Sequence, residues 1–370
     1  MRIVVSGYIG KKVTGIGRNL ICLLNNSQSN NEYIIYTNED MKKDFSFSNP
    51  RVIVKTYSVS KDSSLKNLLW TTFIFPWKTL KEHADLSLIP NFTLLLFKFK
   101  PTVVIMHDLI EFNVPEKFSK SKMFYRTKIA DPITARRADH IITVSENSKK
   151  DIKTFLKIDE TKISVVYNGV DRSKFIPMEK NKAYEIIGNR GWPNDFLLYA
   201  GTIDHPGKNA MGVIRAYEGL KEKRKYNGNL ILAGMPGSNY EAVDEYIKNS
   251  KYCNDIVLAG YVSDEELVAL YSTCKVFVFI SLYEGFGIPP LEALACGAKV
   301  VVSNTSSLPE VVGNVGWTVD PANNDEVQKK IVEALDCQEN NQEKIENHLS
   351  QYMWSSLSMK FEHTLEKIRK

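Results

Sequence analysis

The chain has 370 residues, 43% of them hydrophobic and 25% charged, which is typical of a globular protein with two domains. No apolar run approaches the roughly 20 residues that span a bilayer, and Met1 leads directly into a strand-like segment, so we expect neither a transmembrane helix nor a signal peptide. The five cysteines are widely spaced without a CxxC pair, which argues against a zinc site and favours reduced thiols in a cytoplasmic protein.

Charge is distributed unevenly along the chain, whose formal net charge is +5. Residues 1–170 hold 26 basic and 16 acidic side chains, whereas residues 171–370 hold 22 and 27. Either the first half meets an anionic partner, or it has a solvated basic surface. Nucleic acid is not the expected partner, because the basic residues are scattered and no recognition module is present.

Short β-branched runs alternate with longer amphipathic segments along almost the whole chain. Such alternation predicts an α/β protein in which helices cover both faces of parallel sheets. The predicted strands are 2–6, 33–37, 52–55, 102–106, 140–144, 163–166, 196–200, 229–233, 256–258, 276–280, 300–302 and 317–319. The predicted helices include 17–27, 119–137, 210–225, 240–250, 264–273 and 290–296.

This series runs twice, which predicts two doubly wound, Rossmann-like domains of similar size. A polar segment rich in Gly, Pro and Asn, residues 168–195, separates them. We place the first domain at 1–172 and the second at 173–351, and a final amphipathic helix at about 352–370 could cross back onto the first. Because ligands bind outside the carboxyl ends of the strands in such sheets, the predicted site is a cleft between two facing domains.

Residues 14–18, TGIGR, contain a Gly-x-Gly pair near the start of the first predicted helix. A dinucleotide site requires such glycines directly after the strand, but residues 8–14 intervene, and no acidic residue ends the second strand at the right distance. Gly15 and Gly17 therefore give weak support to a dinucleotide site, and the alternative is a mobile loop followed by a helix start.

Two segments, 65–83 and 94–100, combine aromatic side chains with lysines. Either they lie at a membrane interface, with lysines near anionic lipid, or they form an ordinary core helix followed by a buried strand.

Further along, His107 and Asp108 follow a predicted strand. His107 is therefore a candidate site residue, although a partly buried structural histidine is the alternative.

Residues 281–301, SLYEGFGIPPLEALACGAKVV, place two glutamates around a glycine turn after a predicted central strand. Glycines let backbone N–H groups approach a ligand, and the following Pro-Pro pair begins a helix whose N-terminus attracts phosphate. Glu284 could accept hydrogen bonds from sugar hydroxyls, and Glu292 could bind a vicinal diol such as a ribose. Alternatively, Glu284 is a turn residue and Glu292 only favours the helix dipole.

Residues 284–292, EGFGIPPLE, resemble the E-x7-E motif of the retaining GT-B glycosyltransferases called family 4. The similarity extends through 260–313 and reappears at 136–152 and 165–171. Residues 102–118, TVVIMHDLIEFNVPEKF, resemble the subgroup that builds cell-surface polysaccharides. The resemblance covers most of the chain and implies the GT-B fold.

The resemblance also implies a role for each matching residue. Glu284 would contact the donor sugar, Glu292 would hold the nucleotide ribose, and His107 would lie near the transferred sugar. Lys208, Glu284 and His107 are thus the catalytic candidates. The other donor-binding candidates are Gly15, Gly17 and Arg18 near the phosphates, Tyr261 and Val262 at the base, and Gly285, Phe286 and Gly287 at the sugar and diphosphate.

The sequence departs from the family pattern at Gly207. The family usually places an Arg or His before the lysine that follows the first strand of the second domain, but here Gly207 precedes Lys208. Either Lys208 acts alone on the diphosphate, or Arg18 or another first-domain cation contributes. The chain contains no Asp-x-Asp, so we expect no metal and no cofactor, with Lys208 and helix N-termini supplying positive charge.

The resemblance implies a retaining glycosyltransferase that moves a mannosyl, rhamnosyl or glucosyl unit from a nucleotide sugar to a saccharide or lipid-linked oligosaccharide. The product would be a bacterial surface polysaccharide such as O-antigen or capsule. GDP-mannose, dTDP-rhamnose and UDP-hexoses remain open as donors. The expected location is the cytoplasm, with the inner face of the cell membrane also considered. The rival hypotheses are a sugar-nucleotide epimerase on the same fold and a non-catalytic sugar-nucleotide-binding partner subunit.

Overall fold

The described chain divides into two compact units. The first comprises Met1–Gly169 together with Trp354–Lys370, and the second comprises Val170–Met353. Parallel sheets are present in both, which confirms the predicted α/β class. The structure is a computed structural model that describes residues 1–8, 15–91, 93–338 and 342–369.

The first unit is built on one parallel sheet. Its strands within the described residues are β1 (Arg2–Ser6), β2 (Glu32–Asn38), β3 (Val52–Tyr57), β4 (Leu86–Ile89), β5 (Thr102–Ile105), β6 (His140–Thr143) and β7 (Ile163–Val165). The strand order is β3-β2-β1-β4-β5-β6-β7, and each pair of neighbours is parallel. The order reverses between β1 and β4, which makes this position a topological switch point.

The helices of the first unit include two that are interrupted by a π-helical turn, at Trp70–Ile74 and at Tyr125–Ala130. Helices cover both faces of the sheet, since two separate apolar clusters each contain residues from its strands. The α-helices are α1 (Gly15–Asn25), α2 (Ser64–Leu69), α3 (Phe75–Lys81), α4 (Ile110–Asn113), α5 (Lys120–Phe124), α6 (Asp131–Arg137), α7 (Glu146–Leu156) and, at the end of the chain, α16 (Trp354–Arg369).

The second unit repeats this architecture on a smaller sheet. Its described strands are β8 (Phe196–Ala200), β9 (Asn229–Ala233), β10 (Ile256–Gly260), β11 (Val276–Phe279), β12 (Val300–Ser303) and β13 (Trp317–Val319). They pair in parallel in the order β10-β9-β8-β11-β12-β13, so the switch point lies between β8 and β11. The helices are α8 (Lys180–Asn189), α9 (Ala210–Glu222), α10 (Tyr240–Asn249), α11 (Asp264–Thr273), α12 (Ile288–Ala295), α13 (Leu308–Val312), α14 (Asn324–Asp336) and α15 (Gln342–Leu349).

The region between β3 and β5 differs from what the sequence predicts. Strand β4 was not predicted, and the buried strand considered at 94–100 is wrong, because no strand lies there and Phe97 and Phe99 are 48% and 45% exposed. The residues of β4, LSLI, are fully buried but form only a four-residue run, which is too short to stand out. In the described parts of the chain, no helix has the length and apolar character needed to cross a membrane.

Helix α16 completes the core of the first unit. Its side chains Leu357, Phe361 and Leu365 are buried in the same apolar cluster as Leu20 and Leu23 of α1. Such burial of large apolar side chains stabilises the fold by roughly 1.5–3 kcal/mol for each side chain.

A buried carboxylate also holds α16 in place. Glu362 is only 6% exposed and accepts hydrogen bonds from the Ser27 hydroxyl, from Asn31 Nδ2 at 2.6 Å and from the Tyr33 hydroxyl at 2.6 Å. Burial, together with the nearby Glu362 carboxylate, raises the pKa of Tyr33 well above its ordinary value, so Tyr33 stays protonated and donates. These three donors satisfy a charge that would otherwise be costly to bury.

Removing this carboxylate should destabilise the first unit. In Glu362→Ala, the buried donors Asn31 and Tyr33 and the half-buried Ser27 lose their acceptor, and each buried loss typically costs about 1–3 kcal/mol. Glu362→Gln keeps one amide oxygen and should recover part of the loss. The measurement is urea unfolding followed by circular dichroism, with Glu366→Ala on the exposed side of α16 as the matched control. Equal unfolding midpoints for Glu362→Ala and Glu366→Ala would contradict this role.

A buried ionic cluster lies beside α4. Arg126, in the second π-helical turn, has its guanidinium 3.3 Å from Glu111 and 3.1 Å from Asp131. Asp131 is 2% exposed. Burial raises the pKa of Asp131 to about 6, and the nearby carboxylates of Glu111 and Asp108 act in the same direction. The attraction between Asp131 and Arg126 lowers this pKa but does not outweigh burial. The folded protein therefore binds a proton at Asp131 more tightly than the unfolded chain does.

Stability should accordingly fall as pH rises through the pKa of Asp131. Between about pH 4 and pH 6 the unfolded chain ionises Asp131 more readily than the folded protein, and the resulting loss of stability persists above that range. Asp131→Asn mimics the protonated form, so its stability relative to wild type should increase from pH 4 to pH 7. Thermal unfolding at both pH values tests this, with the exposed Asp44→Asn as control. If the difference in melting temperature between Asp131→Asn and wild type is the same at pH 4 and pH 7, the raised pKa of Asp131 is refuted.

Candidate active site

Two loops of the second unit lie side by side at the switch point. Because β8 and β11 are parallel neighbours, the loop that follows β8 and the loop that follows β11 leave the same edge of the sheet. The backbone N–H of Leu282 donates to the Gly207 carbonyl at 2.9 Å, and Asn209 Nδ2 donates to the Ile280 carbonyl at 3.2 Å. These two bonds fix the position of one loop against the other.

An ion pair joins the two loops. Lys208 Nζ lies 2.6 Å from Glu284 Oε1 and 2.8 Å from Glu284 Oε2, so the ammonium contacts both carboxylate oxygens. The two side chains are 27% and 12% exposed, which limits solvent screening of their charges. The Lys208 ammonium also lies 5.6 Å from the centre of the Phe279 ring. The structure thus brings together two of the residues that the sequence predicts for the site.

A second carboxylate shapes the loop that carries Lys208. Asp204 is 3% exposed, and its Oδ1 accepts a hydrogen bond from the backbone N–H of Lys208 at 2.5 Å. Burial and the carboxylates of Asp204 and Glu284 raise the pKa of Tyr199 well above its ordinary value, so the phenol stays protonated and donates to the Thr202 carbonyl at 2.7 Å. Asp204 was not predicted, although an Asp four residues before Lys208 in a loop rich in Gly and Pro is a turn signal.

Two serines hold the loop that carries Glu284. Ser306 Oγ accepts a hydrogen bond from the Glu284 backbone N–H at 3.0 Å. The buried Ser307 hydroxyl lies 2.9 Å from the Glu284 carbonyl and 2.5 Å from the Phe286 carbonyl, and donates to them. Both serines follow β12, the next strand in the sheet, and neither was predicted. The only sequence signal for them is a run of hydroxyl residues just after a buried strand.

The glycine turn ends at a position that requires glycine. Gly287 has a φ of +117°, a region that favours glycine, and a Cβ atom there would lie 2.6 Å from Leu308 Cδ2. Helix α12 starts at the next residue, with prolines in its first turn. The backbone of Gly285, Phe286 and Gly287 therefore lies between the Lys208–Glu284 pair and a helix N-terminus, although the Phe286 side chain itself is buried.

The other predicted residues of the second unit lie on elements near this edge. Glu292 is half-buried in α12 beside Tyr271 of α11, whose pKa is raised well above its ordinary value by burial and by the Glu292 carboxylate. Tyr261 and Val262 directly follow β10, at the same edge of the sheet as Lys208. Tyr261 is 73% exposed and is therefore available to a ligand.

In the first unit, the glycine loop lies partly outside the described residues, since Thr14 belongs to 9–14. Gly15, Gly17 and Arg18 form the start of α1, where Gly17 is buried and Arg18 is exposed. His107 follows β5 and is 7% exposed, with Nε2 3.2 Å from the Pro90 carbonyl. Burial lowers the pKa of His107 to about 4, so at neutral pH the ring is uncharged and donates this bond.

Among the described residues, no group of three or more His, Cys, Asp or Glu side chains is arranged to hold a metal ion. Lys208 and the N-terminus of α12 are the positive groups that the site places next to Glu284. The arrangement can bind an anion next to a group that accepts hydrogen bonds from hydroxyls, which matches the chemistry of a sugar attached to a phosphate.

Two protein-family models match the chain. The model described as "Glycosyltransferase Family 4" matches residues 28–174, and the model described as "Glycosyl transferases group 1" matches residues 188–351. The chain is 33% identical over 251 residues to the O-antigen chain mannosyltransferase B of Escherichia coli, covering 66% of this chain and 64% of that protein. It is 29% identical over 240 residues to the serotype-specific mannosyltransferase WbdA of Escherichia coli, covering 63% of this chain but only 29% of that protein.

Solved structures share the fold across almost the whole length. A glycosyltransferase from Rickettsia africae has a TM-score of 0.76 at 18% identity and covers 100% of this chain and 98% of its own. Anabaena Alr3699/HepE, solved in complex with UDP-glucose, has a TM-score of 0.76 at 17% identity and covers 99% of this chain and 100% of its own. The two family models occur in order, one in each half of the chain, and confirm the resemblance seen at residues 284–292. The chain therefore belongs to the group 1, family 4 glycosyltransferases and has the two Rossmann-like units of the GT-B fold.

Proposed function

We propose that the chain is a retaining hexosyltransferase that uses a nucleotide-sugar donor and acts in bacterial surface polysaccharide synthesis. The observation that carries this proposal is the Lys208–Glu284 pair at the switch point of the second unit, next to the N-terminus of α12. The mannosyltransferases among the relatives favour a mannosyl unit over a rhamnosyl or glucosyl unit. The acceptor would be a saccharide or a lipid-linked oligosaccharide held by the first unit.

The proposed mechanism relies on positioning and on charge. Lys208 would stabilise the negative charge that develops on the departing diphosphate, and Glu284 would orient the sugar by accepting hydrogen bonds from its hydroxyls. Glu292 would hold the nucleotide ribose, and the exposed Tyr261 would lie against the base. We propose no metal ion or cofactor, because the ammonium of Lys208 and the N-terminus of α12 supply the positive charge.

A transfer assay tests the proposal against its rivals. The chain is incubated in EDTA with GDP-mannose, dTDP-rhamnose or UDP-glucose, with and without a mannose disaccharide, and release of nucleoside diphosphate is followed. We expect acceptor-dependent release with GDP-mannose, and NMR should show the α configuration of the donor in the new linkage.

Glu292→Ala should raise the donor KM by one to a few orders of magnitude, since hydrogen bonds to charged groups contribute roughly 1.5–3 kcal/mol each.

Other outcomes of this assay identify the rivals. An epimerised donor without an acceptor requirement indicates an epimerase. Donor binding without release of nucleoside diphosphate in any combination indicates a non-catalytic subunit. Activity that disappears in EDTA and returns with manganese would contradict the metal-independent mechanism.

We also propose that the first unit contacts the inner face of the cell membrane through an exposed apolar surface. Phe73 packs against Phe97 with ring centres 5.5 Å apart, and Trp77 packs against Phe99 at 5.0 Å, so the two segments form one surface. Trp70 is not part of it, since it is 5% exposed and stacks on Tyr57 in the core. The exposed apolar surface consists of Leu65, Leu69, Phe73, Ile74, Trp77, Phe97 and Phe99.

Charge favours an anionic membrane as the occupant of this surface. Between residues 64 and 100 the chain carries five lysines and two acidic residues, Glu82 and Asp85. Lys55 neutralises Glu82 at 2.7 Å and Asp139 pairs with Lys98 at 2.7 Å, so the segment keeps a net positive charge. Apolar side chains surrounded by lysines are typical of proteins that insert into the headgroup region of anionic membranes. This contact would bring a lipid-linked acceptor close to the enzyme.

Replacing exposed aromatic residues of this surface should weaken membrane binding without unfolding the protein. The double variant Phe73→Ser/Trp77→Ser should bind phosphatidylglycerol-containing vesicles at least about tenfold more weakly, since each buried aromatic side chain contributes roughly 1.5–3 kcal/mol. Phe124→Ser, at an exposed aromatic residue on α5, is the matched control. Vesicle co-sedimentation and the melting temperature are the measurements. Unchanged binding, or a large fall in melting temperature, would refute the membrane contact.

A further inference from the structure

We infer that Glu284 makes the site select nucleotide sugars over free diphosphates, by occupying Lys208 whenever no sugar is bound. This inference rests on the proposed function, in which Lys208 meets the donor diphosphate. It assigns to Glu284 a second role, that of an internal anion that competes with the diphosphate for a single ammonium. The sugar relieves this competition, because its hydroxyls give Glu284 new hydrogen-bond donors.

The geometry of the pair shows how completely Glu284 occupies Lys208. An ammonium has three N–H donors, and both carboxylate oxygens lie within 2.8 Å of Lys208 Nζ. The ammonium also lies over the ring of Phe279, which offers no hydrogen-bond acceptor of oxygen type. Glu284 therefore takes two of the three N–H donors, and a diphosphate that accepts more than one hydrogen bond from Lys208 must displace a carboxylate oxygen of Glu284.

The charge around the pair strengthens this competition. A second carboxylate belongs to the same loop, since Oδ1 of the buried Asp204 accepts a hydrogen bond from the backbone N–H of Lys208 at 2.5 Å. The other basic side chain of this loop, His205, has its pKa lowered, mainly by burial, and is uncharged at neutral pH. The residue directly before Lys208, where the family usually has a cation, is Gly207. Within the loop 201–209, Lys208 is therefore the charged basic side chain that an incoming diphosphate meets, and it is already paired with Glu284.

Different ligands leave Glu284 in different states. Pyrophosphate or a nucleoside diphosphate accepts hydrogen bonds from Lys208 but offers no hydrogen-bond donor to Glu284. The Glu284 side chain is only 12% exposed, so losing its partner there is costly. A nucleotide sugar takes Lys208 and also offers hydroxyl donors to Glu284. Since hydrogen bonds to charged groups are strong, the sugar should improve affinity by about tenfold to a hundredfold through Glu284 alone.

The same exchange should assist turnover. When the sugar has moved to the acceptor, Glu284 loses its hydroxyl partners and can return to Lys208. The pair then re-forms at the expense of the contact between Lys208 and the product diphosphate. Product release would thus be coupled to transfer through one side chain, without a movement of the backbone.

Pyrophosphate binding tests this inference without knowledge of the natural nucleotide. Isothermal titration calorimetry on the full chain would compare wild type with Glu284→Gln, Lys208→Gln and the double variant. The glutamine keeps the shape of Glu284 but not its charge, so Glu284→Gln should bind pyrophosphate at least about tenfold more tightly. The double variant should lose this gain. Glu241→Gln, which removes an exposed carboxylate from α10, controls for the change in net charge and should not produce it.

A second titration compares GDP-mannose with GDP. In wild type the sugar should improve affinity, and in Glu284→Gln this improvement should shrink by about tenfold or more. The inference is overturned if Glu284→Gln binds pyrophosphate no more tightly than wild type. It is also overturned if the double variant keeps the gain in pyrophosphate affinity. If transfer occurs as proposed but the pyrophosphate gain is absent, only this inference fails. If the gain is present but no sugar is transferred, the proposed function fails while the anion competition stands.

Discussion

The parallel pairing of β8 with β11 is the constraint on which the site depends. Neighbouring parallel strands end at the same edge of a sheet, and at a switch point their loops diverge to opposite faces and leave a crevice. Here the bond between Leu282 and Gly207 keeps the two loops in register, so that Lys208 and Glu284 meet although 76 positions separate them in the chain. Without this pairing, neither residue would have a defined partner.

The supporting contacts are mostly hydrogen bonds to the backbone rather than to the functional side chains. Asp204 holds the amide of Lys208, and Ser306 and Ser307 hold the amide and carbonyl of Glu284. The main chain is thereby fixed, while the ammonium and the carboxylate keep freedom to exchange partners. Such a division suits a site that must position a substrate accurately and still change its own ion pairing.

Much of this fold could be predicted from the sequence, because buried parallel strands are continuous β-branched runs. The strands at 2–6, 196–200 and 229–233 have the bounds that their residues predict. Side-chain orientation in the segment that starts at Ser64 could not be predicted, because the π-helical turn at Trp70–Ile74 changes the helical period, placing Trp70 in the core and Phe73 outside. Ser306 and Ser307 also escaped prediction, since their role depends on contacts with the distant Glu284 loop, whereas Asp204 was missed although its contact is local.

Because α16 belongs to the first unit, that unit cannot complete its core on the ribosome until α16 has been synthesised. Ribosomes make chains from the amino terminus, so all of Val170–Met353 emerges between the two segments that form the first unit. Until Phe361 and Leu365 are translated, the nascent first unit lacks the side chains that cover Leu20 and Leu23. The part of the protein that is synthesised first is therefore the part whose core closes last.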